Sequence, residues 1–185
     1  MTLVHDWLAP RSGVRAEHAV LVLHGLGDSR QGWKPVAAML GLDHVAWCFA
    51  QAPLPYFGGW SWFDLEAAWA GDFADIDRHR VLLHELIRAI GRDRGVPCAR
   101  LALMGFSQGC LMAVDAALTW DEPLAAVVGI SGRFPHHARF PAAFGAAGRQ
   151  QRALITHGPY DPVIPMDEAL ADWRALAAAG AQLDV

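Results

Sequence analysis

The sequence lacks the features that would assign it to several other classes of protein. No apolar run approaches the roughly 18 residues of a membrane-spanning helix, and the N-terminus has no basic segment of the kind that starts a signal peptide. The 15 basic and 19 acidic residues form no basic stripe, which argues against nucleic acid or an anionic membrane as the main partner. We therefore expect a cytoplasmic protein, without integral membrane association, that binds a small neutral molecule.

Cysteine is also scarce. Cys48, Cys98 and Cys110 are odd in number and show no CxxC spacing, so they suit neither a disulfide framework nor a zinc site. We predict that all three are small, buried apolar side chains in a reducing compartment. The sequence gives no reason to expect a metal or a cofactor.

The sequence does contain short apolar runs that alternate with helical patterns. Residues 3–8 and 19–24 read as two strands of a hairpin, while the near-continuous apolar runs 124–131 and 153–157 are typical of strands covered on both faces. This alternation predicts a mostly parallel sheet with helices on both faces. With no internal repeat and no linker, residues 1–185 are expected to form a single α/β domain without a separate lid.

The segment GFSQG, residues 105–109, has the GxSxG pattern at a point where an apolar strand meets a helix. That context is typical of a nucleophile elbow, a strained turn that lifts the serine above the sheet. Side chains at Gly105 and Gly109 would collide with neighbouring backbone, and the helix dipole would favour negative charge near Ser107. We predict that Ser107 is a nucleophile; the alternative is a serine that only caps the helix.

A second segment, LHGLGDS at residues 23–29, follows a predicted strand. Its glycine-rich turn would expose backbone N–H groups, and those of Leu26 and Gln108 could bind a tetrahedral oxyanion, each contributing about 3 to 4 kcal/mol to transition-state stabilisation. The alternative is an ordinary turn between a strand and a helix. The segment lacks the spacing of a dinucleotide-binding loop, so NAD is not expected.

A third segment, HGPYDPVIP at residues 157–165, follows the predicted strand 153–157. Asp161 lies in this loop, where its carboxylate could orient an imidazolium, and two prolines stiffen the chain around it. The alternative is an Asp-Pro pair that serves only to form a turn.

Together the three segments resemble the small carboxylesterases and acyl-protein thioesterases, which are serine hydrolases with the α/β-hydrolase fold. QAP at residues 51–53, WFD at 62–64 and SG at 131–132 extend the resemblance over nearly the whole chain. The resemblance implies Ser107 as the nucleophile, Asp161 as the acid of the triad, and the amides of Leu26 and Gln108 as the oxyanion hole. It also implies an acyl pocket lined by the loop 53–64. Because aromatic side chains crowd this loop, we predict these substrate-binding residues: Trp60, Trp62 and Phe63. The alternative is that some of them form a plain core cluster.

The histidine of the triad is missing from its expected place. In α/β-hydrolases the order is Ser, then Asp or Glu, then His, but all nine histidines precede Asp161. Residues 181–185 read as the start of an edge strand after a helix ended by Gly180. We expect the family's last strand and helix, with the histidine, to lie beyond Val185.

Four histidines remain as internal alternatives for the base. His136 and His137 are the better candidates, because they follow Ser131 and Gly132 on a predicted loop. His24 adjoins the predicted oxyanion turn and His157 ends a strand, and the resemblance gives both a structural role.

The predicted function is hydrolysis of carboxylic esters or thioesters through an acyl-enzyme. The acyl chain should be short to medium and apolar because aromatic residues crowd the loop 53–64. The alternative is a binding protein with this fold but without catalysis. The expected partner is a small ester or an acylated substrate, and exposed tryptophans would favour a homodimer.

Overall fold

The computed structural model describes residues 3–185 of the 185-residue chain. The strands are β1 (His5–Leu8), β2 (His18–Leu23), β3 (Val45–Ala50), β4 (Leu54–Tyr56), β5 (Gly59–Ser61), β6 (Leu101–Phe106), β7 (Ala126–Ile130), β8 (Arg152–Thr156) and β9 (Gln182–Asp184). The helices are α1 (Lys34–Met39), α2 (Leu65–Trp69), α3 (Ala74–Arg94), α4 (Gln108–Leu118) and α5 (Met166–Ala178).

Seven of these strands form one sheet in the order β1-β3-β2-β6-β7-β8-β9. Every neighbouring pair is parallel except β1 and β3. The strands β4 and β5 form a separate antiparallel hairpin. The predicted α/β fold with a mostly parallel sheet is therefore confirmed, and β9 lies where the sequence indicated an edge strand.

The predicted hairpin between the first two strands is wrong. β1 pairs with β3, and β2 lies on the far side of β3, between β3 and β6. The two strands differ in character: Leu21, Val22 and Leu23 are buried, whereas β1 contains Asp6 and is only partly covered. Burial therefore draws β2 to the middle of the sheet, where both faces are covered, and leaves β1 at the edge.

Helix α4 is the most deeply buried helix of the fold. All of its residues, Gln108 to Leu118, are buried, and it packs between the strands β6 and β7 on one side and α3 on the other. Its apolar sequence has no polar face because solvent reaches none of its sides. The residue that precedes α4, Ser107, is thus anchored between a central strand and the helix in the core.

The prediction that strands β7 and β8 are covered on both faces is wrong for β8. Leu154 is 48% exposed, and it lies in a depression of about 510 Å³ on one face of the sheet. By register, Val22 on β2, Met104 on β6, Val128 on β7 and Leu154 share this face. Helix α1 covers the part of this face that β2 and β3 form, and no helix within residues 3–185 covers Leu154.

Two further expectations concern membrane spans and exposed tryptophans. No helix within residues 3–185 combines the length and the apolar character needed to cross a bilayer. All eight tryptophans lie in this range, and Trp69 is the only exposed one. The homodimer suggested by exposed tryptophans stays a prediction.

Candidate active site

Ser107 occupies a strained turn between β6 and α4. Its φ of 53° and ψ of −116° lie in a region that non-glycine residues rarely adopt. The turn is held by a hydrogen bond from the Ser107 N–H to the Ile130 carbonyl at 2.9 Å. Such strain persists only where the surrounding structure imposes it, and here β6 and α4 both do. The geometry is that of a nucleophile elbow.

The two glycines of the elbow are required by close backbone contacts. A Cβ added at Gly105 would overlap the carbonyl oxygen of Gly109, and one added at Gly109 would overlap that of Leu23. The collisions expected from the sequence are therefore real. They also explain why the start of α4 can lie directly against the C-terminal end of β2, where the turn 24–27 begins.

Ser107 borders a cleft of about 380 Å³. The cleft brings together the predicted site residues Leu26, Gln108 and Asp161, which come from three separate segments of the chain. Most of the remaining lining is apolar and includes Phe106, Val163 and Ile164. Four of the residues selected from the sequence therefore share one cavity.

Two backbone donors in this cleft have no protein acceptor. Within residues 3–185, neither the Leu26 N–H nor the Gln108 N–H donates a hydrogen bond to another protein group, whereas Gly27 donates to the Trp60 carbonyl at 2.9 Å. Gln108 is the first residue of α4, and the first N–H groups of a helix have no partner within it. Both donors are therefore available to a ligand beside Ser107.

His24 fixes the turn that carries Leu26. Its Nε2 accepts hydrogen bonds from the Ala52 N–H and from Gln51 Nε2, both at 3.1 Å. Because the Ala52 N–H can only donate, the ring proton lies on Nδ1, which donates to the Gly25 carbonyl at 2.7 Å. Burial lowers the pKa of His24, so the neutral ring is favoured. His24 therefore has no free lone pair with which to act as a base.

The Gln108 side chain ties the elbow to the loop that follows β5. Its Oε1 accepts from the Trp62 N–H at 2.9 Å and from Ser61 Oγ at 3.1 Å, and its Nε2 donates to the Phe63 carbonyl at 3.0 Å. Sequence reasoning missed this role because the three partners lie more than 40 residues away along the chain. The WFD segment was the only signal that could have pointed to it.

The three predicted substrate-binding residues have different locations. Phe63 lines a recess that opens beside Ser107. Trp62 is fully buried, and its indole Nε1 donates to the His24 carbonyl at 2.9 Å. Trp60 bonds through its backbone to Gly27 and Asp28 and, like Trp62, lines neither cavity beside Ser107. The structure brings only Phe63 to the nucleophile.

Asp161 is held as a carboxylate at the edge of the cleft. Its Oδ1 accepts from the N–H groups of Ile164, at 3.0 Å, and Val163, at 2.9 Å, and these bonds lower the pKa of Asp161. Its Oδ2 lies 3.7 Å from Nε2 of His157. That nitrogen donates to the Ile164 carbonyl at 2.9 Å, so the buried ring of His157 supports the loop.

The histidines that the sequence left as internal bases do not reach the cleft. His136 is buried and its Nε2 donates to Asp115 at 2.8 Å. Asp115 lies eight residues after Ser107 along α4, which corresponds to about 12 Å of helix. His137 lies in the short 3₁₀ helix His137–Arg139. No histidine within residues 3–185 lines the cleft around Ser107.

The cysteines behave mainly as expected. Cys48 and Cys110 are buried, and burial raises the pKa of each thiol to about 12. Cys98 is only partly buried, which corrects the prediction for that residue. No group of three or more His, Cys, Asp or Glu side chains in the described part of the chain is arranged to hold a metal ion.

Known proteins with similar sequences are hydrolases. Residues 10–183 match the model of a family described as phospholipase/carboxylesterase. The chain is 35% identical to acyl-protein thioesterase 1 of Schizosaccharomyces pombe over 79% of its own length and 69% of that protein. It is 32% identical to acyl-protein thioesterase 1 of Mycosarcoma maydis, over 84% of this chain and 73% of that one.

Solved structures of esterases share the fold. Esterase PE8 superposes with a TM-score of 0.86 at 25% identity, covering 100% of this chain and 87% of PE8. Acyl-protein thioesterase 2 of Zea mays has a TM-score of 0.77 at 21% identity, with 98% and 88% of the two chains covered. The chain is therefore a hydrolase with the α/β-hydrolase fold, and it belongs to the phospholipase/carboxylesterase family.

Proposed function

We propose that the protein is a serine hydrolase that cleaves carboxylic esters or thioesters through an acyl-enzyme formed on Ser107. The observation that carries this proposal is the strained conformation of Ser107 at the mouth of a cleft shared with Leu26, Gln108 and Asp161. Relatives named acyl-protein thioesterase and the match to a family described as phospholipase/carboxylesterase support the substrate class. The leaving group is thus an alcohol or a thiol.

In this mechanism Ser107 Oγ attacks the carbonyl carbon while a histidine removes the hydroxyl proton. The carbonyl oxygen becomes an oxyanion that accepts from the N–H groups of Leu26 and Gln108, each contributing about 3 to 4 kcal/mol. Collapse of the intermediate breaks the C–O or C–S bond, and the histidine returns the proton to the leaving group. Water then attacks the acyl-enzyme and releases the acid.

We propose that this histidine follows Val185 and that Asp161 orients it. The proposal is supported by the order of the triad in α/β-hydrolases and by the absence of a histidine from the cleft within residues 3–185. The test is the intact mass of the protein purified from its own source. A mass equal to the 20.1 kDa of residues 1–185 would contradict this assignment of the base.

Substitution of Ser107 by alanine tests the nucleophile. Hydrolysis of p-nitrophenyl esters and labelling by a fluorophosphonate should both be abolished in Ser107→Ala and unchanged in Ser12→Ala, where the serine is exposed on a loop. Labelling that survives in Ser107→Ala would move the nucleophile elsewhere.

The alternative of a non-catalytic binding protein conflicts with the hydrolase family to which the chain belongs, and turnover tests it directly. Loss of the base typically lowers turnover about 10⁶-fold and leaves a rate about 10³ to 10⁴ times that of the uncatalysed reaction in water. If the protein only binds its ligand, wild type and Ser107→Ala should hydrolyse esters at equally low rates.

A further inference from the structure

A small recess opens from the active-site cleft beside Ser107 and Gln108. Its volume is about 40 Å³, and its floor consists of Phe63 and Leu111, each only 2% exposed. Because a water molecule needs about 10 to 15 Å³ of such volume, the recess has room for about three or four heavy atoms. Its apolar floor suits a hydrocarbon group rather than a polar one.

One wall of the recess is formed by Arg133 and Trp69. The guanidinium carbon of Arg133 lies 5.2 Å from the centroid of the Trp69 ring, within the distance of a cation–π contact. A planar guanidinium packs against an indole over a wide area, so the pair presents a continuous wall. Either side chain alone would leave a gap in it.

Helix α5 holds the arginine in this position. Arg133 Nε donates to Asp172 Oδ2 at 2.9 Å, and Nη1 donates to Glu168. The hydrogen bond with Asp172 and the charge of both acids raise the pKa of Arg133. Asp172 is itself fixed, because it also accepts the Phe134 N–H at 3.2 Å. The wall is thus anchored to a helix and not to a mobile loop.

We propose that the Arg133–Trp69 pair bounds the acyl-binding recess on one side and restricts substrates to acyl chains of about four carbons or fewer. This inference rests on the proposed function. The recess is a small apolar pocket that shares Ser107 and Gln108 with the cleft, as an acyl chain attached to Ser107 requires. The larger cleft of about 380 Å³ takes the bulkier leaving group.

The charges around the recess add a second restriction. Arg133 contributes one positive charge against the two negative charges of Asp172 and Glu168, so the cluster is net negative. Of these three charged groups only Arg133 lines the recess, and it is already paired with both acids. An acyl chain that ends in a carboxylate would therefore lose hydration in the apolar recess without gaining an unpaired cation. Uncharged short acyl groups are therefore the class that fits.

The test compares kcat/KM for p-nitrophenyl acetate, butyrate and octanoate in the full-length protein. Arg133→Ala and Trp69→Ala should each raise the octanoate-to-acetate ratio at least tenfold. Each additional buried methylene contributes about 0.8 kcal/mol, or about fourfold. Arg133→Met keeps a long side chain in the wall and should change the ratio by less than about threefold.

Arg88→Ala is the matched control, because Arg88 also lies over a tryptophan, 4.8 Å from the ring centroid of Trp120, but does not line the cleft. It should leave the ratio unchanged. Arg133→Ala leaves Asp172 without its cation and could impair folding, so Trp69→Ala, which removes no charge partner, gives the independent measurement.

Two results would overturn the inference while leaving the proposed function intact. One is an unchanged ratio in both Arg133→Ala and Trp69→Ala when hydrolysis still depends on Ser107. The other is a shift produced only by Phe57→Ala, which would place the acyl chain in the separate cavity under the β4–β5 hairpin. Hydrolysis that survives in Ser107→Ala would instead refute the proposed function.

Discussion

Replacing His136 by alanine should destabilise the protein without directly affecting its chemistry. His136 Nε2 donates to Asp115 at 2.8 Å, and both side chains are 1% exposed. Arg80 donates to the other carboxylate oxygen of Asp115 at 3.1 Å. Although burial opposes ionisation, the hydrogen bond from His136 and the charge of Arg80 hold the pKa of Asp115 below its usual range.

The size of the effect follows from this burial. Removing one partner of a buried pair costs about 3 to 5 kcal/mol, and the retained Arg80 favours the lower end of that range. The His136 ring also stacks on Phe134, with centroids 4.2 Å apart, and that contact would be lost. At about 2 to 4 °C per kcal/mol for a chain of this size, we expect Tm to fall by about 6 to 12 °C.

Thermal unfolding of His136→Ala, Asp115→Ala and the double variant measures the coupling between the two residues. A double-mutant cycle should give an interaction free energy of at least about 1 kcal/mol. Ester hydrolysis measured well below the lowered Tm should stay within about tenfold of wild type.

An unchanged Tm, together with a loss of turnover near the roughly 10⁶-fold that is typical when the base is missing, would refute this reasoning. It would make His136 the base, which is the alternative that the sequence left open.

Three further predictions concern the elbow and its supports. Gly109→Ala should abolish fluorophosphonate labelling and lower Tm, because the added Cβ would overlap the Leu23 carbonyl; an unaltered Tm would contradict the steric argument. In Gln108→Met the Trp62 N–H loses its buried acceptor, so a denaturant titration should show a free energy of unfolding lower by about 1 to 3 kcal/mol. The same change should reduce kcat more than it raises KM. Equal changes in kcat and KM would argue against a role of the Gln108 side chain in positioning the elbow. Burial lowers the pKa of His24, so the unfolded chain takes up a proton at a higher pH than the folded protein does. The stability that this residue contributes is therefore fully present above about pH 6.5 and is lost as the pH falls. Between pH 7.5 and about 5.5 the free energy of unfolding should decrease less in His24→Gln than in wild type.

The elbow could be predicted from the sequence because its constraints are local. Two glycines flanking Ser107, a preceding apolar strand and a following apolar helix specify the turn within about 20 residues, and the structure shows why both glycines are needed. The bounds of α4 were likewise set by its own composition. These features depend on sterics and burial that act between near neighbours in the chain.

The errors and omissions arose where partners are distant in sequence. Pairing β1 with β2 assumed that consecutive strands are neighbours, whereas the burial of β2 drew it to the centre of the sheet. The link from Arg133 to Asp172 spans 39 residues, and that from Gln108 to Trp62 spans 46. No periodicity or motif reports which distant side chain will meet a given one, so these contacts required the structure.

Trp62 shows how a residue selected for one role can serve another. Its backbone N–H donates to Gln108 Oε1, and its indole N–H donates to the His24 carbonyl. His24 in turn donates to the carbonyl of Gly25, the residue before Leu26. A single buried residue, through its backbone and its indole, therefore connects the two segments whose amides we propose as the oxyanion hole. Because the oxyanion must accept from both amides at once, their separation matters more than the position of either. Trp62 is bonded to both segments and so constrains that separation, which a residue that only lined the acyl pocket would not do.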